Sequence, residues 1–166
     1  LELAHLKEML SPAKLKPVEV AEVLEGVVSA MQPAAKAKGL DLEVQVLARP
    51  TMLVVSNHLH TLWTNLLDNA LRHSKLATGE ESARIRVELD FATHQCLLDV
   101  IDQGSGVPPT DQPKLFEPFF TTVQEGSGMG LYLCKELCEI NNASLSYRPT
   151  ADGESCFRIS MNQRVA

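Results

Sequence analysis

The sequence predicts one domain that combines α-helices with β-strands. At 166 residues the chain has the length of a single domain, and its content of 45% hydrophobic and 22% charged residues is typical of a globular protein. Segments whose apolar residues recur every three or four positions are separated by shorter segments in which apolar and polar residues alternate. The first pattern is typical of amphipathic helices and the second of half-buried strands, so we expect a mixed architecture.

Composition narrows the class of function. The net charge is −6 and lysine and arginine form no block, so we expect no nucleic-acid partner. No apolar run approaches the ~18 residues of a membrane span, and we expect a cytoplasmic domain. The four cysteines lack a second close Cys/His pair that would complete a zinc site, which favours buried thiols in a reducing compartment. These cysteines are Cys96, Cys134, Cys138 and Cys156.

The first half of the chain is predicted to contain a helix and two strands. Residues 18–38 carry an apolar stripe, with Pro17 in the first helical turn and Gly39 at the C-terminal end. Pro33 falls inside this segment and is expected to kink or interrupt the helix. Strands are predicted over residues 40–47 and 51–55.

The segment of residues 60–74 carries the most informative pattern. Leucine and alanine residues form one side of a helix, while Asn65, Asn69, Arg72 and His73 lie at i, i+4, i+7 and i+8 along the other side. Asparagine is unfavourable inside helices because its side chain competes for backbone hydrogen bonds. Two asparagines on one face therefore indicate either a ligand for their amides or pairing of those amides with backbone groups.

The second half is predicted to contain four strands, a long irregular stretch and a helix. After a polar loop at residues 75–83, strands at 84–91 and 95–101 are joined by a tight turn near Thr93 and His94. Residues 107–128 show little regular pattern apart from a short turn that begins at Lys114, and such a stretch is typical of a mobile lid. A helix at 129–141 and strands at 145–147 and 156–161 follow.

Two glycine-rich stretches are candidates for ligand contacts. Asp102-x-Gly104-x-Gly106 follows a strand directly, where a carboxylate can accept a hydrogen bond from an exocyclic amine such as that of adenine. An ordinary Asp-Gly turn is the alternative. The second stretch opens a helix, whose N–H groups can hold a phosphate, but it matches neither a P-loop nor a dinucleotide fingerprint. It comprises Gly126, Ser127, Gly128, Met129, Gly130 and Leu131.

Side chains of the asparagine-bearing helix suit a metal ion and a phosphate. A carboxamide oxygen such as that of Asn69 is a hard ligand for Mg²⁺ and adds no negative charge beside a nucleotide. Arg72, one turn on, is placed to meet a phosphate, and His73 is placed to stack on a base or a ribose. Three of the five phenylalanines fall in LFEPFFTT, residues 115–122, so this segment is expected to dock on the base of the lid or on a partner.

Four stretches occur in a fixed order: NLLDNA, DQGSGVP, LFEPFFTT and GSGMGL. They resemble the N, G1, F and G2 boxes of sensor histidine kinases, members of the GHKL or Bergerat-fold nucleotide-binding proteins, and the resemblance covers residues 17–161. The phrase GLYLCKELCEINNASLSY further resembles pilus-regulating and nitrogen-type kinases. The resemblance implies an α/β (α+β) two-layer sandwich, in which a mixed sheet of about five strands packs against three helices, with ATP beneath a mobile lid.

The same resemblance implies roles for individual residues. Asn69 would hold Mg²⁺, and Asn65 would be a second catalytic side chain, toward the phosphates. Asp102 would read the adenine amino group, and the glycines of GSGMGL would line the triphosphate. The implied ATP-binding set is Asn65, Asn69, Arg72, His73, Asp102, Gly104, Gly106, Val107, Phe116, Thr121, Thr122, Gly126, Ser127, Gly128, Met129, Gly130 and Leu131.

The residue at position 65 separates a kinase from a hydrolase. Hydrolases of this fold resemble one another in carrying glutamate one turn before the Mg²⁺-binding asparagine, where it can activate water. This chain has Asn65 there, and Asp68 points about 100° away from Asn69. We therefore expect ATP-dependent phosphoryl transfer to a protein histidine. A GHKL-type serine kinase or ATPase and a degenerate nucleotide-binding interaction module are the alternatives.

The chain departs from the family pattern in three places. The phosphoacceptor box is absent and His5 does not match it, so we interpret residues 1–12 as the end of the dimerisation helix and 13–166 as the catalytic domain. Such a chain would bind Mg-ATP without phosphorylating itself. Val123 and Gln124 replace a common lysine of the lid, which leaves Lys114 and Arg72 as cation candidates. Asn141-Asn142-Ala143 falls where Gly-Gly is common, and because asparagine tolerates the left-handed conformation the helix cap is expected to be kept.

The expected partners also follow from the resemblance. They are ATP, the dimerisation and phosphoacceptor domain of the same kinase, and the receiver domain of a response regulator. The isolated domain is expected to be monomeric and the full-length kinase homodimeric, and the membrane attachment of the full-length kinase stays open.

Overall fold

The computed structural model of the protein describes residues 14–78, 84–104, 106–118, 120 and 130–162. The helices are α1 (Val20–Ala37), α2 (Ser56–Thr78) and α3 (Gly130–Ile140), with a 3-10 helix at Gln112–Lys114. The strands are β1 (Lys16–Glu19), β2 (Asp41–Val46), β3 (Thr51–Val54), β4 (Arg84–Ala92), β5 (Gln95–Asp102), β6 (Ala143–Tyr147) and β7 (Ser155–Met161). The interpretation of residues 1–12 as the end of a dimerisation helix lies outside the described residues.

A five-stranded mixed sheet forms one layer of the fold. Its strand order is β2-β4-β5-β7-β6, in which β2 and β4 are parallel and the other neighbours are antiparallel. Within the described residues, β1 and β3 form a separate two-stranded antiparallel sheet. The three helices form the second layer. The predicted sandwich of about five strands and three helices is confirmed.

The hydrophobic core lies between the main sheet and the helices. Alternate residues of β4 and β5 are buried, and this buried row of β5 ends in Asp102. The fully buried Trp63 of α2 belongs to the same core. On the other face of the sheet, Arg158 and Asp99 form a two-pronged ion pair with N–O distances of 2.8 and 2.9 Å. The helix side of the sheet is therefore apolar except at its end, where a carboxyl group enters the core.

The hairpin of β4 and β5 brings Asp102 to the end of the sheet. Thr93 and His94 have φ angles of 51° and 63°, which is typical of the two-residue turns that join twisted strands, and the predicted turn is confirmed. The register set by this turn pairs Asp102 with Ile85 on one side and with Ser155 of β7 on the other.

Helix α1 differs from its prediction at two prolines. Pro17 does not lie in the first helical turn but in β1, paired with Leu53, because the segment before Val20 pairs with β3. Pro33 does not interrupt the helix, which continues to Ala37. An internal proline costs about 3 kcal/mol, and burial of the helix on both sides of this position outweighs that cost. The predicted end at Gly39 is confirmed by its φ of 70°.

Helix α2 is longer than its predicted range of residues 60–74. It begins at Ser56 and ends at Thr78, so the loop predicted from residue 75 is wrong over residues 75–78. Lysine, leucine and alanine in this extension are good helix formers, and helix propensity outweighs the polar character of the stretch. The remainder of that loop, residues 79–83, lies outside the described residues.

The C-terminal end of α3 follows the prediction. Asn142 has a φ of 54°, the left-handed conformation that ends helices when glycine or asparagine is present. The buried Asn141 carboxamide accepts a hydrogen bond from Val55 N–H at 2.7 Å and donates to Leu137 C=O at 2.7 Å. It thereby joins the end of α3 to the start of α2.

All four cysteines are free and buried, as the sequence predicts. Burial raises the pKa of the Cys96, Cys138 and Cys156 thiols to about 12, so these groups stay protonated. Among the described residues, none of the helices is long and apolar enough to span a bilayer.

Candidate functional site

The polar face of α2 is the first wall of the candidate site. Asn65, Asn69 and His73 are half-buried and Arg72 is exposed, whereas Leu62, Leu66 and Ala70 on the other side of α2 are buried. The predicted helical face is therefore present, and it is open along one side of the helix.

The Asn65 carboxamide connects this wall to the start of α3. Its Nδ2 donates a hydrogen bond to Thr61 C=O at 2.8 Å, so backbone pairing satisfies the amide group in part, one of the two alternatives left by the sequence. Its Oδ1 lies 3.5 Å from the position that a Cβ atom on Gly130 would occupy. The amide oxygen thus faces the first residue of α3.

Asn69, one turn further along α2, presents the group best suited to a metal ion. Among the described residues, its carboxamide has no hydrogen-bond partner, and no cluster of three His, Cys, Asp or Glu side chains could hold a metal. A single carboxamide oxygen is sufficient for Mg²⁺ only if the ion keeps waters and shares ligands with phosphates. The residues present fit that kind of site.

Two charged side chains of α2 pair with each other outside the asparagine face. Arg72 Nη2 lies 2.6 Å from Asp68 Oδ2, and both side chains are more than 40% exposed. An exposed ion pair of this type contributes about 0.3–0.5 kcal/mol, so Arg72 can leave it for a phosphate at little cost. Asp68 is thereby directed to Arg72 rather than to the position that a general base would need.

Asp102 forms the opposite wall at the end of β5. Its side chain is 2% exposed, and Gly104 N–H donates to its Oδ1 at 2.8 Å. Burial raises the pKa of this carboxyl to about 6; the Gly104 hydrogen bond lowers the pKa and the charge of Glu154 raises it further. The carboxyl therefore changes charge near neutral pH and can accept a hydrogen bond in a dry environment.

At Gly104 the backbone lies close to both walls of the candidate site. A Cβ atom at this position would lie 2.8 Å from Asp102 Oδ1 and 3.1 Å from the backbone oxygen of His73. Only glycine fits there without displacing α2 or the carboxyl group. Burial, followed by the charge of Arg72, lowers the pKa of His73, so its ring is neutral at pH 7 and suited to stacking.

The chain after Gly104 is held by residues that sequence reasoning missed. Gly106 has a φ of 76°, and Val107 N–H donates to the Tyr147 hydroxyl at 3.1 Å. Val107 C=O accepts from Gln112 Nε2 at 3.0 Å. Ser155, buried and paired in register with Asp102, was also missed. The only sequence signal for Tyr147 and Ser155 is their place on predicted or adjoining strand ends.

The structure describes only part of the predicted phosphate end. Gly130 begins α3, as predicted within one residue, and Leu131 is half-buried beside it. Phe116 is half-buried, and its ring packs edge-on against Phe157. The remaining members of the predicted set lie outside the described residues. They are Thr121, Thr122, Gly126, Ser127, Gly128 and Met129.

The candidate site as described lies where α2, the end of β5 and the start of α3 approach one another. The sequence matches over residues 54–165 a protein family described as "Histidine kinase-, DNA gyrase B-, and HSP90-like ATPase". The chain belongs to this family. The matched range includes α2, the end of β5 and the start of α3, and so contains the residues of the candidate site.

Relatives similar in sequence to this chain include sensor kinases. Sensor protein kinase PilS of Pseudomonas aeruginosa is 43% identical over 104 residues, 63% of this chain and 20% of PilS. Sensory histidine kinase/phosphatase NtrB of Rhodobacter capsulatus is 29% identical over 161 residues, 90% of this chain and 44% of NtrB. The chain thus spans less than half the length of these relatives.

The fold is shared with solved structures, among them a histidine kinase. The solved chain of the mycobacterial sensor histidine kinase MprB superposes with a TM-score of 0.77 at 25% identity, covering 92% of this chain and 99% of that solved chain. Full-length ShkA, solved in complex with AMPPNP, superposes with a TM-score of 0.83 at 22% identity, covering 98% of this chain and 34% of ShkA. The three helices on a five-stranded sheet are therefore the architecture of a histidine kinase ATPase domain.

Proposed function

We propose that this chain is the ATP-binding catalytic domain of a two-component sensor histidine kinase. It binds Mg-ATP and transfers the γ-phosphoryl group to a histidine supplied from outside these 166 residues, for relay to a response regulator. The observation that carries the proposal is that three segments far apart in sequence come together: α2, the end of β5 and the start of α3. The Asn65 oxygen of α2 faces Gly130 at the start of α3. Gly104, which follows β5, lies against Asp102 and against the His73 backbone of α2.

The base of the nucleotide would bind at Asp102. The buried carboxylate accepts one hydrogen bond from Gly104, which leaves its second oxygen free, among the described contacts, to accept from the adenine amino group. The neutral ring of His73 offers a stacking surface. Gly104 and Gly106 allow the backbone to approach the purine, and Val107 and Phe116 add apolar surface.

The triphosphate would extend from this base pocket toward the start of α3. N–H groups at a helix start bind phosphate, and Gly130 together with the glycines before it lets the phosphates come close. Leu131 follows in the first turn. We assign Mg²⁺ to Asn69, whose oxygen would supply one ligand, and Asn65 to the adjoining phosphates. The ion would neutralise charge on the β- and γ-phosphoryl groups.

Transfer to a protein is favoured over hydrolysis because neither Asn65 nor Asp68 is suited to act as the base beside Asn69. Asn65 cannot accept a proton, and its amide group donates to Thr61 C=O. Asp68 is adjacent to Asn69 in α2 and therefore points about 100° away from it. Catalysis therefore consists of holding the γ-phosphoryl group in line with an incoming imidazole and neutralising its charge.

The proposal extends to partners and location. The acceptor histidine would belong to a dimerisation domain of the same kinase, so that the isolated domain is monomeric and the whole kinase homodimeric. Four buried free thiols suit a reducing cytoplasm.

Calorimetric titration of Mg-ATP into this chain tests the site. We expect wild-type protein to bind, Asn69→Ala to lose the Mg²⁺-dependent part of the affinity, and Asp102→Asn to lose most of the affinity with or without Mg²⁺. The matched control is Asn57→Ala, since Asn57 is an exposed asparagine at the start of the same helix. If all four proteins bind alike, the site assignment is wrong.

The reaction is tested by adding a separate protein that carries a dimerisation helix pair with its histidine. Acid-labile phosphate on that protein is expected. Acid-stable phosphate would favour a serine kinase, and steady phosphate release without an acceptor would show an ATPase instead.

A further inference from the structure

Tyr147, the last residue of β6, contacts the backbone of the predicted purine loop. Its hydroxyl oxygen accepts the hydrogen bond from Val107 N–H at 3.1 Å. The same oxygen lies 3.0 Å from the position that a Cβ atom on Gly106 would occupy. Tyr147 is thus held against two consecutive residues of a loop that begins at Asp102, 45 positions earlier in the chain.

Both backbone polar groups of Val107, the N–H and the C=O, form hydrogen bonds with side chains. The Tyr147 hydroxyl accepts a hydrogen bond from Val107 N–H, and Gln112 Nε2 donates one to Val107 C=O at 3.0 Å. Gln112 begins the 3-10 helix that leads to Phe116. Because two side chains hold one residue, the left-handed turn at Gly106 cannot shift without breaking at least one hydrogen bond.

The ring of Tyr147 is positioned by a buried aromatic neighbour. It packs edge-on against Phe157, with ring centroids 5.1 Å apart, and Phe157 is 3% exposed. Phe116 packs edge-on against the same ring at 6.2 Å. Phe157 therefore seats both the residue that holds the purine loop and the first phenylalanine of LFEPFFTT.

We propose that Tyr147 is a positioning residue of the nucleotide site, whose hydroxyl sets the backbone of Gly106 and Val107 in the shape that receives the purine. The inference rests on the proposed function, because it assigns the Asp102 loop to the base of the nucleotide. It goes beyond that function because Tyr147 lies outside all four motifs and yet would contribute to the affinity for the purine base of the nucleotide.

The role of the Tyr147 hydroxyl can be tested separately from that of the ring. Phenylalanine at position 147 keeps the ring contact with Phe157 and removes only the acceptor for Val107 N–H. A residue that merely fills the core would tolerate this change. Tyr132, the other tyrosine of the chain, is directed toward Glu136 on α3 and provides a matched control.

The experiment compares wild type, Tyr147→Phe and Tyr132→Phe by titration calorimetry with ADP and with Mg-ATP. Tyr147→Phe is expected to raise Kd roughly three- to tenfold, the effect of one hydrogen bond, and by the same factor for both nucleotides because the contact lies at the base end. Tyr132→Phe is expected to bind as wild type. Amide exchange followed by NMR should show faster exchange at Val107 in Tyr147→Phe alone.

The outcomes separate this inference from the proposed function. If wild type does not bind nucleotide, the proposed function fails. If wild type binds and Tyr147→Phe binds equally well with unchanged exchange at Val107, the positioning role is wrong. A loss that differs between ADP and Mg-ATP would also overturn it, because the effect would then lie at the phosphates.

Discussion

Replacing Asp102 by asparagine should make the empty domain more stable while weakening its affinity for ATP. The carboxyl group is 2% exposed and its pKa is raised from 3.8 to about 6, chiefly by burial. The folded protein therefore holds an ionised group in a place that favours the neutral form. Asparagine has nearly the same shape, carries no charge and can still accept the hydrogen bond from Gly104 N–H.

The size of the effect follows from the pKa. A rise from 3.8 to about 6 destabilises the ionised folded form by about 3 kcal/mol. The two added N–H donors of asparagine need partners and cancel part of this gain, so we expect a net stabilisation of about 1–2 kcal/mol. For a domain of this size that corresponds to a melting temperature roughly 2–8 °C higher.

The direction of the Asp102 pKa shift determines how the stability difference between the variant and wild type depends on pH. Because the folded-state pKa is raised, the destabilisation is complete above about pH 6 and vanishes below the unfolded pKa of 3.8. Urea unfolding at pH 7.5 should therefore show Asp102→Asn more stable than wild type. The two stability curves should cross between about pH 6 and pH 4, because the cost of the asparagine N–H donors does not depend on pH. Loss of one hydrogen bond to a charged group should weaken nucleotide binding by about 1.5–3 kcal/mol, roughly 10- to 150-fold in Kd.

Either half of this prediction can fail on its own. An Asp102→Asn protein that is less stable than wild type at pH 7.5 would mean that the carboxylate is stabilised by its surroundings rather than strained by burial. A protein that keeps its ATP affinity would mean that Asp102 does not read the base. A stability gap that persists unchanged at pH 4 would contradict the raised pKa.

Three further predictions follow from individual contacts. Gly104→Ala should destabilise the fold by about 1–3 kcal/mol because its Cβ would lie 2.8 Å from a carboxylate oxygen, whereas Gly26→Ala, with open space around it in α1, should stabilise it by about 0.5–1 kcal/mol; thermal unfolding checks the opposite signs. Asn141→Ala should cost about 1–3 kcal/mol in urea unfolding, since it removes the acceptor for Val55 N–H and the contact with the His58 ring, and a cost below that of Asn57→Ala would contradict this. Asn65→Glu should raise phosphate release from Mg-ATP in the absence of an acceptor, measured in a coupled assay, by supplying a base; unchanged release would argue against our explanation of why hydrolysis is disfavoured.

Local pattern was sufficient for most of the fold. All five strands of the main sheet and all three helices are predicted at the right type, because alternation and the 3.6-residue period record which side chains are buried. The errors fall where local preference and tertiary context disagree. Pro17 is a good first residue of a helix, yet it pairs with β3, and Pro33 disfavours a helix that packing nevertheless holds continuous.

The sequence predicts which residues are candidates for the site better than it predicts how they are arranged. Asn65, Asp102, Gly104 and Gly130 are recognisable because their residue types are unusual for their places in helix, strand end and turn. The contacts among them join positions far apart in sequence, and only the packing of α2 on the sheet and on α3 brings them together.

The sequence by itself determined the chemistry offered at the site: two carboxamides on one helical face, one carboxyl at a strand end, and glycines at a helix start. It did so because side-chain type and spacing of up to four residues depend on the chain alone. The tertiary structure decided which of these groups are paired and how strongly the carboxyl group holds its proton. The raised pKa of Asp102 requires burial beneath α2, and the hold of Tyr147 on Val107 joins residues 40 positions apart. Burial and long-range hydrogen bonds are properties of packing, and no local pattern encodes them.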